Sequence, residues 1–156
     1  MASYIVPRVP ASAGALLHDG SGRILVLKPN YKSGWTVPGG QMEEDGESPW
    51  EACQREVAEE TGLVIESGRL ACVDFLHPRP GRPGGMRFLF DCGMVPLADQ
   101  DHLVLQEDEI EEHRWAEPDE AIRLLSGPVG RRVGRSIGMT QTIYLEDGRP
   151  VGGVED

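Results

Sequence analysis

The sequence predicts one α/β domain, and three observations carry that prediction. The chain has 156 residues, 39% of them apolar, which suits a single hydrophobic core. Short apolar runs of strand length recur between Gly- and Pro-rich breaks. One segment carries a full set of helix start and stop signals. The expected domain spans residues 1–156, with an N-terminal arm at 1–11 and a C-terminal tail at 129–156 that is able to pack.

The elements follow in chain order. The arm MASYIVPRVPA has two prolines and no periodicity, so at most it supplies an edge strand at Tyr4 to Val6. Ala13 to Leu17 and Arg23 to Lys28 are apolar runs flanking His18-Asp19-Gly20-Ser21-Gly22, which is hairpin chemistry. Pro29 to Gly46 is rich in Gly and Pro yet carries Tyr31, Trp35 and Val37, so it loops while packing. Ser48-Pro49-Trp50-Glu51 joins a Ser cap, Pro at the first helical position and Glu three residues after the cap. The helix should run to Thr61, with Gly62 ending it. Arg69 to Leu76 and Met86 to Val95 read as antiparallel strands around the loop His77 to Gly85. Ile110 to Ala116 reads as a strand, and Pro118 to Leu125 as a short helix. From Val129 the pattern is ambiguous, with Arg131, Arg132 and Arg135 forming the one locally basic segment and Gln141 to Leu145 able to form a late strand.

Charge and cysteine content exclude several functions. Fifteen Lys and Arg against 26 Asp and Glu leave a net charge of −11. So acidic a surface argues against binding long nucleic acids, which relies on Lys and Arg displacing counterions from phosphates. Cys53, Cys72 and Cys92 are too scattered for a disulfide framework or a zinc site, which fits a reducing cytoplasm. No run approaches the roughly 20 apolar residues needed to cross a bilayer. If the protein handles phosphates, something other than its surface must supply positive charge.

The helix offers a source. Glu56, Glu59 and Glu60 stand at i, i+3 and i+4, within an arc of about 100° on one side. Trp50, Cys53 and Val57 occupy the neighbouring arc and face the core. Like charges so placed repel unless a cation offsets them. Hard divalent ions such as Mg²⁺ take oxygen ligands and bridge carboxylates to phosphates. Taken on spacing alone, the same row also describes a solvated acidic face with Arg55 as an ion-pair partner.

The longer pattern decides between these readings. Gly39-Gly40, then Glu47, then seven residues, then Arg55-Glu56-Val57-Ala58-Glu59-Glu60-Thr61-Gly62-Leu63 resembles the Nudix box of the Nudix hydrolase family. Trp35-Thr36-Val37-Pro38 before it and Arg114-Trp115 followed by a short helix after it resemble the family's flanking elements. One departure stands out: Gln41 to Gly46 places six residues between Gly40 and Glu47 where the family has about five. The register from Glu47 to Leu63 is kept, so the insertion should bulge the loop without moving the helix.

The resemblance implies an α/β/α sandwich around a mixed sheet, with the box helix on one face. It implies divalent metal, Mg²⁺ or Mn²⁺, on Glu56, Glu59 and Glu60. Arg55 would pair with Glu47 and orient these ligands, and Gly39 and Gly40 would meet the ligand. The reaction implied is hydrolysis of a nucleoside diphosphate derivative by water attack on phosphorus. The general base varies in the family between a box glutamate and a loop carboxylate before the strand ending in Trp. Glu109 is the first loop candidate and Glu112 the second, although residues 107–112 also read as a solvated acidic loop. Tyr31 and Trp35 could stack on a base or simply pack. The four histidines show no ligand spacing. A different class of function, a non-catalytic Nudix-fold nucleotide sensor, is the alternative, and homodimerisation through the arm or tail is compatible with the sequence.

Overall fold

In the computed structural model, which describes residues 3–154, the first turn is organised by one side chain. Buried Asp19 accepts the backbone N–H groups of Ser21 and Arg23 on Oδ1 at 2.9 Å, and Arg23 Nε donates to Oδ2 at 2.6 Å. These bonds close the hairpin between β1 (Ala11–His18) and β2 (Ile24–Pro29). The two strands pair at the turn end, His18 opposite Ile24, and then diverge. Beyond that point β1 takes β3 (Gly39–Gln41) as its antiparallel neighbour, with Gly14 opposite Gly39. The divergence opens the sheet on one side, and the cavity described below lies there.

The helix α1 (Pro49–Thr61) begins and ends on the residues its signals name. Ser48 Oγ accepts the Glu51 N–H and Glu51 Oε1 accepts the Ser48 N–H, both at 3.1 Å, closing a capping box. Gly62 terminates it with φ 76° and donates its N–H to Ala58 at 2.9 Å. After it come β4 (Arg69–Leu76), β5 (Gly85–Met94), a single turn α2 (Leu97–Gln100) and β6 (Ile110–Ala116). The chain finishes with α3 (Pro118–Leu125), α4 (Gly127–Ser136) and β7 (Ile143–Glu146).

The seven strands form one mixed sheet in the order β6-β2-β1-β5-β4-β7, with β3 added to β1. The β1–β5 and β4–β7 pairs are parallel and the other pairs antiparallel. Alternation along the strands feeds two cores. Ala13, Ala15, Leu17, Leu25 and Leu27 pack under Ala52, Cys53 and Val57 of α1. Leu16, Ile24 and Val26 pack under Ala121, Leu125 and Val133 of α3 and α4. Each such Val, Leu or Ile contributes about 1.5–3 kcal/mol over leaving it exposed, so the two clusters clamp a helical layer to each face. The result is an α/β/α sandwich.

Several expectations shift. Tyr4 to Val6 form no strand and are exposed, because Pro7 and Pro10 withhold the donors an edge strand needs; the sheet starts directly after Pro10. The loop 29–46 contains the short strand β3. The ambiguous tail supplies both α4 and β7. α4 is a helix despite Gly130 and Gly134 because it must lie against α3: a Cβ at Gly130 would stand 2.6 Å from the Ile122 carbonyl oxygen. Intrinsic propensity alone would have disfavoured it. Among the described residues no helix is long and apolar enough to cross a membrane.

Candidate active site

The capping box and Gly62 set the length of α1, and its core residues set its rotation, which together aim its acidic side at β3. Glu60 is only 2% exposed, and its Oε1 accepts the Gly39 N–H at 2.7 Å. Gly39 holds φ 155°, and a Cβ there would collide with the Ala13 carbonyl oxygen, so no side chain could share the position. Gly40 lets the Glu56 carboxylate lie against the backbone, since a Cβ there would be 2.5 Å from Glu56 Cδ. Glu59, in contrast, is 46% exposed and lies outside the lining of the cavity. The structure thus turns two of the three helix carboxylates inward and leaves the third at the rim.

Arg55 ties this row to the preceding loop. Its Nε and Nη2 grip Glu47 through Oε2 at 2.6 Å and Oε1 at 2.9 Å, a two-pronged pair of the kind guanidinium geometry favours. Nη1 donates to Glu56 at 2.9 Å and Glu59 at 3.2 Å, and Nη2 also donates to the Gln41 carbonyl at 3.0 Å. Glu43 N–H closes the loop on Glu47 Oε1 at 3.0 Å. The six-residue loop is therefore fastened at Gln41, Glu43 and Glu47, and its surplus length projects as the exposed turn at 43–46. Helix register is untouched.

Electrostatics sort these groups by burden. The hydrogen bonds from Arg55 hold the Glu47 carboxyl below its usual value. Burial pushes Glu56 up, partly opposed by Arg55. Glu60 is pushed furthest, to about 8, by burial first and then by Glu56, Glu109 and Glu59, with only the Gly39 N–H opposing. A buried acid with one hydrogen bond and three acidic neighbours has nothing in the fold to compensate its ionised form, and so holds its proton until a cation arrives.

Glu56 and Glu60 line a cavity of about 630 Å³ between β1, β3, β5 and α4. Glu109, from the turn before β6, lines it too, anchored by its carbonyl accepting the Asn30 N–H at 2.8 Å. Its carboxylate has no hydrogen-bond partner among the described residues. Glu112 lies elsewhere, exposed on β6 beside Arg114. Tyr31 is at the cavity mouth, 62% exposed, while Trp35 packs against the α3–α4 core with Arg114 stacked 4.9 Å from its ring centre. Cys53 and Cys72 are buried and all three thiols are free. Sequence reasoning assigned no role to Arg87 or Arg132, which also line the cavity. They stand far apart in the chain, on β5 and α4, and no local pattern links them.

Among the described residues, no three Asp, Glu, His or Cys side chains close around one point as a finished metal cage. Arg55 Nη1 lies between Glu56 and Glu59, and Glu60 is turned to Gly39. The donor set nonetheless suits a hard divalent cation: all its atoms are carboxylate oxygens, and the repulsion at Glu60 is what such an ion relieves.

A family model described as NUDIX domain matches residues 8–134. The chain belongs to the Nudix hydrolase family. Nudix hydrolases use divalent metal ions, consistent with this all-oxygen donor set. The chain is 34% identical over 88 residues to Nucleoside diphosphate-linked moiety X motif 6 of Xenopus laevis, a match covering 55% of this chain and 40% of that protein. The match therefore spans about two fifths of that relative's length. A MutT protein from Methanosarcina mazei Go1 superposes with a TM-score of 0.64 at 27% identity, covering 80% of this chain and 88% of the other. A C. elegans Ap4A hydrolase superposes with a TM-score of 0.58 at 26% identity, over 75% and 86% of the two chains. This Nudix chain thus shares its fold with these proteins over three quarters or more of its length.

Proposed function

We propose that this protein is a Mg²⁺- or Mn²⁺-dependent hydrolase of the diphosphate linkage in a nucleoside diphosphate derivative, with water attacking phosphorus. The observation that carries the reading is Glu60, buried at the end of a nucleotide-sized cavity, facing Glu56 and Glu109 and lacking any cationic side chain of its own. Glu56, Glu59 and Glu60 would hold the metal. Held by these residues, a divalent ion would supply charge neutralisation of the diphosphate, a lowered pKa for water and stabilisation of the departing phosphate.

The chain's own groups do the rest. The Gly39 N–H fixes one oxygen of Glu60, and the other has no hydrogen-bond partner among the described residues and is available to a ligand. Arg55, braced by Glu47, fixes the orientation of Glu56 and Glu59. Glu109 is the general base: its carboxylate lines the cavity without an internal partner and is free to accept the proton of the attacking water. Gly39 and Gly40 bring backbone close to the substrate. A cytoplasmic location belongs to the same proposal and is supported by the three free thiols.

A panel of nucleoside diphosphate derivatives incubated in ¹⁸O-labelled water with Mg²⁺, Mn²⁺ or chelator tests this. The expected outcome is metal-dependent turnover of at least one substrate, with ¹⁸O appearing on a product phosphate. Label in a product carbon–oxygen bond would contradict attack on phosphorus. Tight binding of ADP-ribose or NAD without turnover over hours, metal present, would favour the nucleotide sensor instead.

A further inference from the structure

The cavity lining carries charges of both signs. Against the carboxylates of Glu56, Glu60 and Glu109 stand the guanidinium groups of Arg87 and Arg132. Arg132 is nine-tenths buried, its side chain 9% exposed, and its Nε donates to fully buried Asp74 at 2.7 Å. Asp74 is completed by the Gly148 N–H at 3.0 Å. The two terminal nitrogens of Arg132 have no hydrogen-bond partner among the described residues, yet neither is sealed from solvent. They reach solvent through the cavity. Arg87 sits on β5 directly across from Asp74 on β4 and Ser12 on β1. It makes no ion pair among the described residues, and its one hydrogen bond goes to the carbonyl of its neighbour Met86, at 3.3 Å.

Two guanidinium groups against one carboxylate leave this part of the lining with a surplus positive charge in a chain whose net charge is −11. Burial, and then the nearness of Arg132, lower the basicity of Arg87, with Asp74 across the strand offsetting only part of this. A structural arginine at a sheet surface would normally take a carboxylate of its own, as Arg132 does. Arg87 instead commits only one N–H, to the Met86 carbonyl, and lines the space a ligand would fill.

We propose that Arg87 and Arg132 form an anion subsite that selects substrates carrying a second phosphate or a carboxylate remote from the scissile diphosphate. A guanidinium fork matches either anion through two parallel N–H bonds. The register sets the spacing. From Gly39 on β3 to Arg87 on β5 are two strand gaps of about 4.8 Å and two residues of about 3.4 Å, roughly 12 Å between backbone positions. A diphosphate at the carboxylate end therefore leaves the nucleoside, or the group attached to it, extending toward the arginines. The subsite deepens the proposed function, resting on it only for the placement of the scissile linkage.

Binding measured by calorimetry in chelator keeps the two claims separable. Three matched comparisons are used: adenosine 3′,5′-bisphosphate against AMP, adenosine 2′,5′-bisphosphate against AMP, and UDP-glucuronate against UDP-glucose. The first two carry the remote anion as phosphate and the third as carboxylate. The expected result is that at least one anion-bearing ligand binds about tenfold or more tightly than its counterpart, the scale of a charge-assisted hydrogen bond pair. Arg87→Gln should reduce that ratio to within about twofold, with Arg87→Lys retaining part of it because charge remains while the fork is lost. Equal affinities within all three comparisons, or a preference that survives in a folded Arg87→Gln protein, would overturn the subsite. Absence of turnover with the preference intact would count against the hydrolase and leave the subsite standing.

Discussion

Two acids are sealed inside this molecule in very different company. Asp74 has no exposed surface, and it is met by Arg132 Nε at 2.7 Å and by the Gly148 N–H at 3.0 Å. Glu60 is 2% exposed, receives one backbone N–H and is surrounded by Glu56, Glu59 and Glu109. The first carboxylate is compensated from within the fold, joining α4 to the sheet. The second is compensated only if something enters the cavity. Burial alone therefore does not mark a functional acid; the deficit of partners around it does.

The comparison can be broken at either acid, and the largest effect is expected at the compensated one. Arg132→Met strands Asp74 without its counter-charge and should lower unfolding free energy by about 3–5 kcal/mol in denaturant titrations. Adding Asp74→Asn should recover much of that loss. Arg55→Lys keeps a positive charge but gives up the grip on Glu47, and should cost about 10- to 100-fold in metal affinity or kcat/KM, as lost support of metal ligands typically does.

The pH dependence of stability then sharpens the contrast. The folded value for Glu60, about 8, lies above the 4.5 of an ordinary glutamate. Across that window the folded state keeps a proton that the unfolded chain gives up, so metal-free protein should lose stability as pH rises from 4.5 to about 8 and level off above it. Thermal melts should show Glu60→Gln removing most of this slope, and millimolar Mn²⁺ raising the wild-type melting temperature by more at pH 8 than at pH 6. The smallest effect belongs to a control remote from both acids: Ser48→Ala should cost about 1 kcal/mol through the lost cap, without altering metal dependence.

Much of the helix that carries the carboxylate row was legible in the chain because its signals are local. Ser48, Pro49 and Glu51 announce the start of α1, Gly62 its end, and the spacing of Glu56, Glu59 and Glu60 follows from helical geometry. β4, β6 and α3 could be bounded by the same kind of local signal. What stayed hidden depends on contacts between distant segments. α4 contains glycines that local propensity counts against a helix and that close packing on Ile122 requires. β3 consists of Gly39-Gly40-Gln41 and becomes a strand only because β1 leaves β2 to meet it. The rotation of Glu59 to the rim depends on how far α1 turns against the sheet. Arg87 reads locally as one polar residue on a strand, and only the fold sets it beside Arg132.

The central claim is that the carboxylate end of the cavity acts through a divalent cation on a nucleoside diphosphate derivative. Its most direct test is ³¹P NMR of such a substrate incubated with the wild-type protein and with Glu60→Gln, each with Mg²⁺ and with chelator. The account predicts that diphosphate resonances give way to phosphomonoester resonances only for wild type with metal, with the variant slower by about 10³-fold, the rate equivalent of several kcal/mol of lost charge stabilisation. Conversion in chelator, or at an undiminished rate in Glu60→Gln, would contradict it.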